Sequence, residues 1–485
     1  MNWTKEQEQA ISLRGKNIIV SAAAGSGKTA VLVERIRRLT VEEDVSLDRI
    51  LALTFTNAAA SEMKEKIRIS LLKEMDEKPE KRVQIKQQLD RLPMSFISTF
   101  HAFALRVIRR FFYIADVDAK FKICDEERAK LLKEDAMDAV IEDALSSGDE
   151  DIYRFFDCYS SDKDFDALRG VIDELYKQVS AHPDRFDILD MFVEELSKGK
   201  DKLSCGRMGA YMQDTIKQTL MDVKKYLERA AEILDESKLS RLAGKVREND
   251  IAIIEELCEK SDIFKAFDEI RAALTGFSLV RLSPKKDEKE GYDSVKDIVA
   301  SARKEAKSLI DDLFSRYFSE SLDDAIYYIN ETAPHARVLT ELTKQFDHEF
   351  TIRKRKRHLL DFNDIEHLCL KILRTEEAGR YYRDKFEYIL VDEFQDTNLI
   401  QDSIIKLIEN GRNLFMVGDI KQCIYKFRLV EPEIFRGIYT SYSSEDSEET
   451  CAVDLNRNYR SKQPVIDYIN RLFFELMQGY DEKAS

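Results

Sequence analysis

Apolar residues follow two different rhythms along this chain. Up to about residue 112, and again from about 359, short apolar runs end in polar residues and alternate with helical stretches. Six runs read as strands: Asn17-Ile18-Ile19-Val20, residues 49–56, residues 95–101, Tyr388-Ile389-Leu390-Val391-Asp392, residues 413–419 and Thr450-Cys451-Ala452-Val453-Asp454-Leu455. Their polar carboxyl ends are where open α/β sheets place ligands. Between about 113 and 358 the strand pattern disappears. Ala129, Leu132, Ala136, Val140 and Ala144 share one helix face, with Asp125, Glu126 and Glu127 at its N-terminal end. Leu309, Ile310, Leu313, Phe314, Tyr317 and Phe318 form another such stripe. Loops are expected at 146–149, 197–200 and 283–287. The pattern predicts an α/β parallel sheet, carried by residues 1–112 and 359–460, interrupted by a large all-helical inserted domain at 113–358. From 461 a helix rich in Val465, Ile466, Tyr468, Ile469, Leu472 and Phe473 follows.

Composition narrows the class. At 485 residues, 44% hydrophobic and 35% charged, the chain suits a helix-rich globular protein of more than one domain. No apolar run reaches about 18 residues, the length a transmembrane helix needs. The start, Met1-Asn2-Trp3-Thr4-Lys5-Glu6, has no apolar core of a secretory signal. The seven cysteines are scattered and odd in number, which suits reduced thiols of a cytoplasmic protein. A net charge of −15 argues against coating nucleic acid through bulk charge, so a nucleic-acid role has to rest on motifs.

The strongest motif follows the first strand. Ala22-Ala23-Ala24-Gly25-Ser26-Gly27-Lys28-Thr29, followed by the helical run Ala30-Val31-Leu32-Val33-Glu34-Arg35-Ile36, reads as a phosphate-binding loop. Glycines let the backbone turn its N–H groups onto an anion, and the helix N-terminus adds to the field. Lys28 is placed to reach β- and γ-phosphates, and Thr29 to offer its hydroxyl to Mg²⁺. The usual pattern has Gly at the first position, where this chain has Ala22; a methyl group fits there only if φ stays negative.

Val391-Asp392-Glu393 ends an apolar strand in two acids. Buried carboxylates at such a place suit a cation and a reacting water: Asp392 as the Mg²⁺ acid, Glu393 as the base. The competing reading is a helix N-cap. Arg353-Lys354-Arg355-Lys356-Arg357 likewise reads either as the solvated face of a helix or as a nucleic-acid contact. Phe55, Phe100 and Phe427 each stand open between core aromatic and base-stacking residue, and His101 between structural histidine and contact.

Taken together the motifs resemble those of the superfamily 1A, or UvrD/Rep-like, DNA helicases. Asp392-Glu393-Phe394-Gln395-Asp396-Thr397-Asn398 resembles the DExQDT motif. Thr4 with Gln7-Glu8-Gln9-Ala10-Ile11 resembles the N-terminal Gln motif, which implies that Gln7 reads adenine. Residues 54–60, with Phe55, Thr56 and Asn57, resemble motif Ia; Thr99-Phe100-His101 resembles motif Ib; both line the single-strand track in that family. Leu360-Asp361-Phe362-Asn363-Asp364 resembles the D-F-x-D element. Residues 417–428 resemble motif III, implying that Gln422 senses the γ-phosphate and that Tyr425, Phe427 and Arg428 face DNA. Asn458-Tyr459-Arg460-Ser461 resembles motif IV, implying that Tyr459 packs on adenine and Arg460 acts as an arginine finger.

The resemblance implies a RecA-like P-loop NTPase fold, with a motor domain 1A at 1–112 and 359–460, a helical domain 1B at 113–358, and the start of domain 2A at 461–485. It implies ATP and Mg²⁺ as cofactors and 3′-to-5′ translocation on single-stranded DNA. The spelling of the phosphate loop and the long insertion are most similar to helicase/nuclease subunits of the AddA type. That implies duplex ends as substrate, double-strand break repair as setting, and a partner protein of the AddB type, with no membrane association. A complete member also carries motifs V and VI and a nuclease domain, which the resemblance does not find before Ser485. Three alternatives stay open: a catalytically weak ATP- and DNA-binding fragment, a UvrD/Rep-type helicase without nuclease, and a P-loop NTPase acting on RNA or protein.

Overall fold

The computed structural model describes residues 3–159, 165–197, 206–424, 430–444 and 447–476. Tyr425, Phe427 and Arg428 lie outside them. Six strands form one fully parallel sheet: β1 (Asn17–Ala22), β2 (Ile50–Thr54), β3 (Phe96–Thr99), β6 (Tyr388–Val391), β7 (Leu414–Gly418) and β8 (Thr450–Leu455), in the order β3-β2-β6-β7-β1-β8. Two short strands, β4 (Lys122–Ile123) and β5 (Leu359–Leu360), form a separate parallel pair inside the stretch expected to be purely helical or at its edge.

Alternation along each strand explains why the sheet is covered on both sides. Ile18 and Val20 of β1, Ile50 and Ala52 of β2, Leu390 of β6, and Phe415 and Val417 of β7 enter one core with the helices Lys5–Ser12, Lys28–Val41 and Asn57–Glu77. Their neighbours Ile19, Leu51, Leu53, Ile389, Val391, Leu414 and Met416 enter a second core with the helices Phe100–Arg110, Phe362–Leu373 and Leu399–Ile408. A strand buried on both faces needs an unbroken apolar run, and each apolar side chain so buried contributes about 1.5–3 kcal/mol.

The strand order has a direct consequence for the site. Reading along the carboxyl edge of the sheet, the chain segments that leave β8, β1, β7, β6, β2 and β3 follow one another. Residues 456–460, 23–29, 419–422, 392–397, 55–57 and 100–101 therefore line one edge in that order. Two of the strands end on helix caps. Thr56 Oγ1 accepts from the Ala59 N–H at 3.1 Å, and Thr99 Oγ1 accepts from the Ala102 N–H at 3.3 Å. The second cap turns Phe100 and His101 into the first turn of a helix, where the apolar run had suggested continued strand.

By contacts the chain divides into two units. One comprises Met1–Glu142, Arg169–Arg185 and Gln345–Ser485 and holds the sheet; the other comprises Asp143–Leu168 and Phe186–Lys344. The division falls within the helical stretch and not at 112 and 358. In the second unit the helix Arg207–Glu236 buries Ile216, Leu220, Val223, Leu227, Ala230 and Leu234, a spacing of three and four residues. It packs against the helix Lys289–Leu313, whose stripe ends at Leu313 and continues in a π-helical turn, Phe314–Phe318. No helix among the described residues is long and apolar enough to cross a membrane.

Candidate functional site

The phosphate loop is shaped by its sequence. Ala22 is the last residue of β1, buried, with negative φ and paired with Leu455, so the missing glycine costs nothing. Gly25 and Gly27 take positive φ, +71° and +91°, a conformation that side chains disfavour. At Gly25 a Cβ would lie 2.5 Å from Asn458 Oδ1 and 2.8 Å from Arg460 Cβ, so only glycine permits this contact between the loop and residues 458–460. The Tyr459 N–H donates to the Gly25 carbonyl at 2.9 Å. Lys28 and Thr29 open the helix Lys28–Val41. Ser26 Oγ is buried with no hydrogen-bond partner.

Gln7 sits against this loop. Its Nε2 donates to the Ser26 carbonyl at 3.0 Å, and its Oε1 accepts from the Thr4 N–H at 3.1 Å in a capping box that starts the helix Lys5–Ser12. These two bonds fix which way the amide points. Thr4, Gln7, Ser26, Leu455, Asn456 and Tyr459 line a cleft of about 470 Å³. Tyr459 is 53% exposed there, Arg457 lies 5.7 Å from its ring centroid, and Arg460 is exposed.

The acid pair lies two strands away. Lys28 Nζ is 2.7 Å from Glu393 Oε2. Glu393 itself has φ +52°, a left-handed conformation uncommon outside glycine and typical of strained functional positions. Asp392 Oδ1 accepts from the Glu393 N–H at 3.1 Å; burial, reinforced by the neighbouring Glu393 carboxylate, pushes its carboxyl up to about 6. Neither acid caps a helix through its side chain, since Asn398 caps the following helix, Leu399–Ile408. That removes the N-cap reading.

Residues that the motifs alone did not single out complete the arrangement. Gln395 Nε2 donates to Glu393 Oε2 at 2.9 Å, and Gln395 Oε1 accepts from the Asp419 N–H at 2.9 Å. Gly418 makes room for it, because a Cβ there would lie 2.5 Å from Gln395 Oε1. Asp419 Oδ2 in turn accepts from Gln422 Nε2 at 2.6 Å. Gln395 thus ties the acid pair after β6 to the Gln422 turn after β7.

Beyond the acids the edge becomes partly aromatic. A cavity of about 180 Å³ is lined by Thr54, Phe55, His101, Asp392, Glu393 and Gln401, among others. Phe55 is 36% exposed whereas Phe100 is 7% exposed, which makes Phe100 a core residue. Thr99 Oγ1 donates to Asn57 Oδ1 at 3.4 Å, joining the two capped helix starts. His101 packs edge-on against Phe362, ring centroids 5.3 Å apart, and Phe362 is 51% exposed. Phe362 belongs to this edge, a role that its place in the D-F-x-D element does not reveal. The basic run 353–357 is not uniformly solvated: Lys354 is 1% exposed and lies 2.7 Å from both Asp361 Oδ2 and Asp364 Oδ2, holding the cap that starts the helix Phe362–Leu373.

The sequence profile of the UvrD/REP helicase N-terminal domain matches residues 3–268 and 189–443. The chain belongs to the UvrD/REP helicase family. Within it, the chain is similar to proteins named as AddA-type subunits of an ATP-dependent helicase/nuclease. It is 36% identical over 504 residues to that of Bacillus licheniformis, 99% of this chain and 40% of the relative. It is 34% identical over 498 residues to that of Syntrophomonas wolfei and 32% over 493 residues to that of Alkaliphilus oremlandii, covering 39% and 40% of those relatives. The chain spans about 40% of the length of the curated relatives it matches. The parallel six-stranded sheet carrying the loop at 22–29 is the α/β fold expected of this helicase family.

Proposed function

We propose that this chain is the first motor domain, with its inserted helical domain, of an ATP-driven helicase that moves on single-stranded DNA, 3′ to 5′, as the helicase part of a helicase/nuclease working with a partner of the AddB type on duplex ends in double-strand break repair. In this reading 1–112 and 359–460 form domain 1A, 113–358 domain 1B, and 461–485 begins domain 2A. The observation that carries it is the order of segments along one sheet edge, phosphate loop, Gln422 turn, acid pair, then Phe55 and His101, which brings a nucleotide end and an aromatic end together.

The residues divide the work. Loop N–H groups of residues 23–28 and the helix start at Lys28 receive the phosphates of ATP, and Lys28 exchanges Glu393 for phosphate oxygens. Gln7 and Tyr459 hold adenine in the cleft beside the loop. Glu393 accepts the proton of the attacking water, and Gln395 keeps its carboxylate in place. Gln422 and Arg460 meet the γ-phosphate. A magnesium ion carried with ATP neutralises phosphate charge. Thr29 and Asp392 would hold it: a buried carboxylate pushed up to about 6 suits a cation, and among the described residues no cluster of three or more His, Cys, Asp or Glu would bind a metal without phosphate oxygens.

On the DNA side Phe55 and Phe362 stack bases, while Thr56, Asn57, Thr99 and His101 meet phosphates at two helix starts; Tyr425, Phe427 and Arg428 are assigned to the same track from the family resemblance. Stacking is tolerant of sequence, as a motor requires. The deciding experiment is ATP hydrolysis with and without single-stranded DNA. Stimulation by DNA and not by RNA of the same length supports the reading; equal stimulation by RNA favours the RNA-acting alternative, and none favours a weak ATP- and DNA-binding fragment.

A further inference from the structure

Glu366 lies one helical turn beyond Phe362 on the helix Phe362–Leu373 and is 6% exposed. A carboxylate buried to this degree persists only when its oxygens are hydrogen-bonded. Both are. Asn398 Nδ2 donates to Oε2 at 3.0 Å, Gln401 Nε2 donates to Oε1 at 2.7 Å, and His101 Nε2 lies 3.6 Å from Oε1.

These partners come from two functional directions. His101 belongs to the first turn after β3, at the aromatic end of the edge, and its ring also rests on Phe362. Asn398 and Gln401 form the cap and first turn of the helix that follows the acid pair. Gln401 also lines the 180 Å³ cavity together with Asp392, Glu393, Phe55 and His101. One buried carboxylate therefore holds a side chain of the single-strand edge and the turn beyond the hydrolytic acids at the same time.

We propose that Glu366 is a positioning residue that couples occupancy of the single-strand edge at His101 to the arrangement of the acid pair. The inference rests on the motor reading above and adds to it the route between its two ligands. A DNA phosphate at His101 competes with Glu366 for the Nε2 proton. Once His101 turns to the phosphate, Glu366 Oε1 is left to Gln401, and the 398–401 turn and the cavity wall beside Asp392 and Glu393 readjust. By linkage, nucleotide at the acid pair then changes DNA affinity by the same factor that DNA changes nucleotide affinity. A network read from packing alone counts as coupling only when a coupling energy is measured.

The test measures that factor. The dissociation constant of a labelled oligo-dT is read by fluorescence anisotropy with the chain, with and without a saturating non-hydrolysable Mg–ATP analogue, for wild type and Glu366→Gln. The expected wild-type ratio is about fivefold or more. In Glu366→Gln each ligand alone should bind within about twofold of wild type while the ratio falls below about twofold, a pattern that a purely structural role would not produce. A Glu366→Gln ratio equal to wild type overturns the proposal. So does a wild-type ratio near one with both ligands binding, which leaves the motor reading standing; if neither ligand binds wild type, the motor reading falls and this falls with it. Should Glu366→Gln fail to fold, Gln401→Met is measured instead: a lost ratio supports the coupling and a retained ratio overturns it.

Discussion

Lys28 Nζ and Glu393 Oε2 are 2.7 Å apart, with Lys28 largely buried and Glu393 about one-third exposed. The lysine of the phosphate loop and the carboxylate at the end of β6 are thereby joined across the sheet edge, although 365 residues separate them in sequence. The strand order explains how: β7 alone stands between β1 and β6. The ion pair also sets two ligands in competition, since a phosphate group and Glu393 draw on the same ammonium.

Glu393→Gln should therefore do two things at once. Hydrolysis should be lost, because an amide does not accept the proton of water. Mg–ATP affinity should rise, because Lys28 no longer leaves a carboxylate to meet phosphate. A partly exposed pair of this kind is worth about 0.2–1 kcal/mol, so the gain should be up to about fivefold. Calorimetry and a turnover assay on the same variant check both; weakened ATP binding would show that Glu393 supports the nucleotide and does not compete with it.

The two phenylalanines at the strand ends should behave differently. Phe55→Ala should weaken single-stranded DNA binding by about 1–3 kcal/mol, the range for one base–aromatic stack, with little change in melting temperature. Phe100→Ala should leave that affinity nearly unchanged but cost about 3–5 kcal/mol of stability, since Phe100 is a core residue. Anisotropy and thermal melting on the two variants separate the roles, and reversal of the pattern would move the DNA track off the end of β2.

Much of the fold and the site is legible in the chain. The strands after which the site residues stand are apolar at successive positions because helices cover both sheet faces, and such runs are conspicuous. β4 and β5 are not legible, because two-residue strands carry no period. Phe100 and His101 read as strand because the apolar run continues through them; the Thr99 cap, a single side-chain bond, decides otherwise. The basic run 353–357 cannot reveal that Lys354 alone is buried, since its partners Asp361 and Asp364 become neighbours only after the chain turns through β5. Glu366, Gln395 and Phe362 escape the sequence for the same reason: their roles lie in whom they touch.

Stability should fall in acid through His367. Its ring lies 2.8 Å from the Ser180 carbonyl, and burial holds its pKa down at about 4, below the usual 6.5. The unfolded chain binds this proton more readily, so the stabilisation is complete above pH 6.5 and is lost progressively between 6.5 and 4, up to about 3 kcal/mol. Denaturant melts at pH 7 and pH 4.5 should show a smaller loss for His367→Gln, which can donate to the same carbonyl without titrating. An equal loss in both proteins would place the acid sensitivity elsewhere.

The motor reading stands or falls on the phosphate loop. Isothermal titration calorimetry of Mg–ATP into the wild-type chain and into Lys28→Ala, with melting curves to show that both are folded, tests it most directly. One saturable site in wild type, with binding abolished or greatly weakened in Lys28→Ala, is the predicted result. No binding to wild type, or equal affinity in the two proteins, would contradict it.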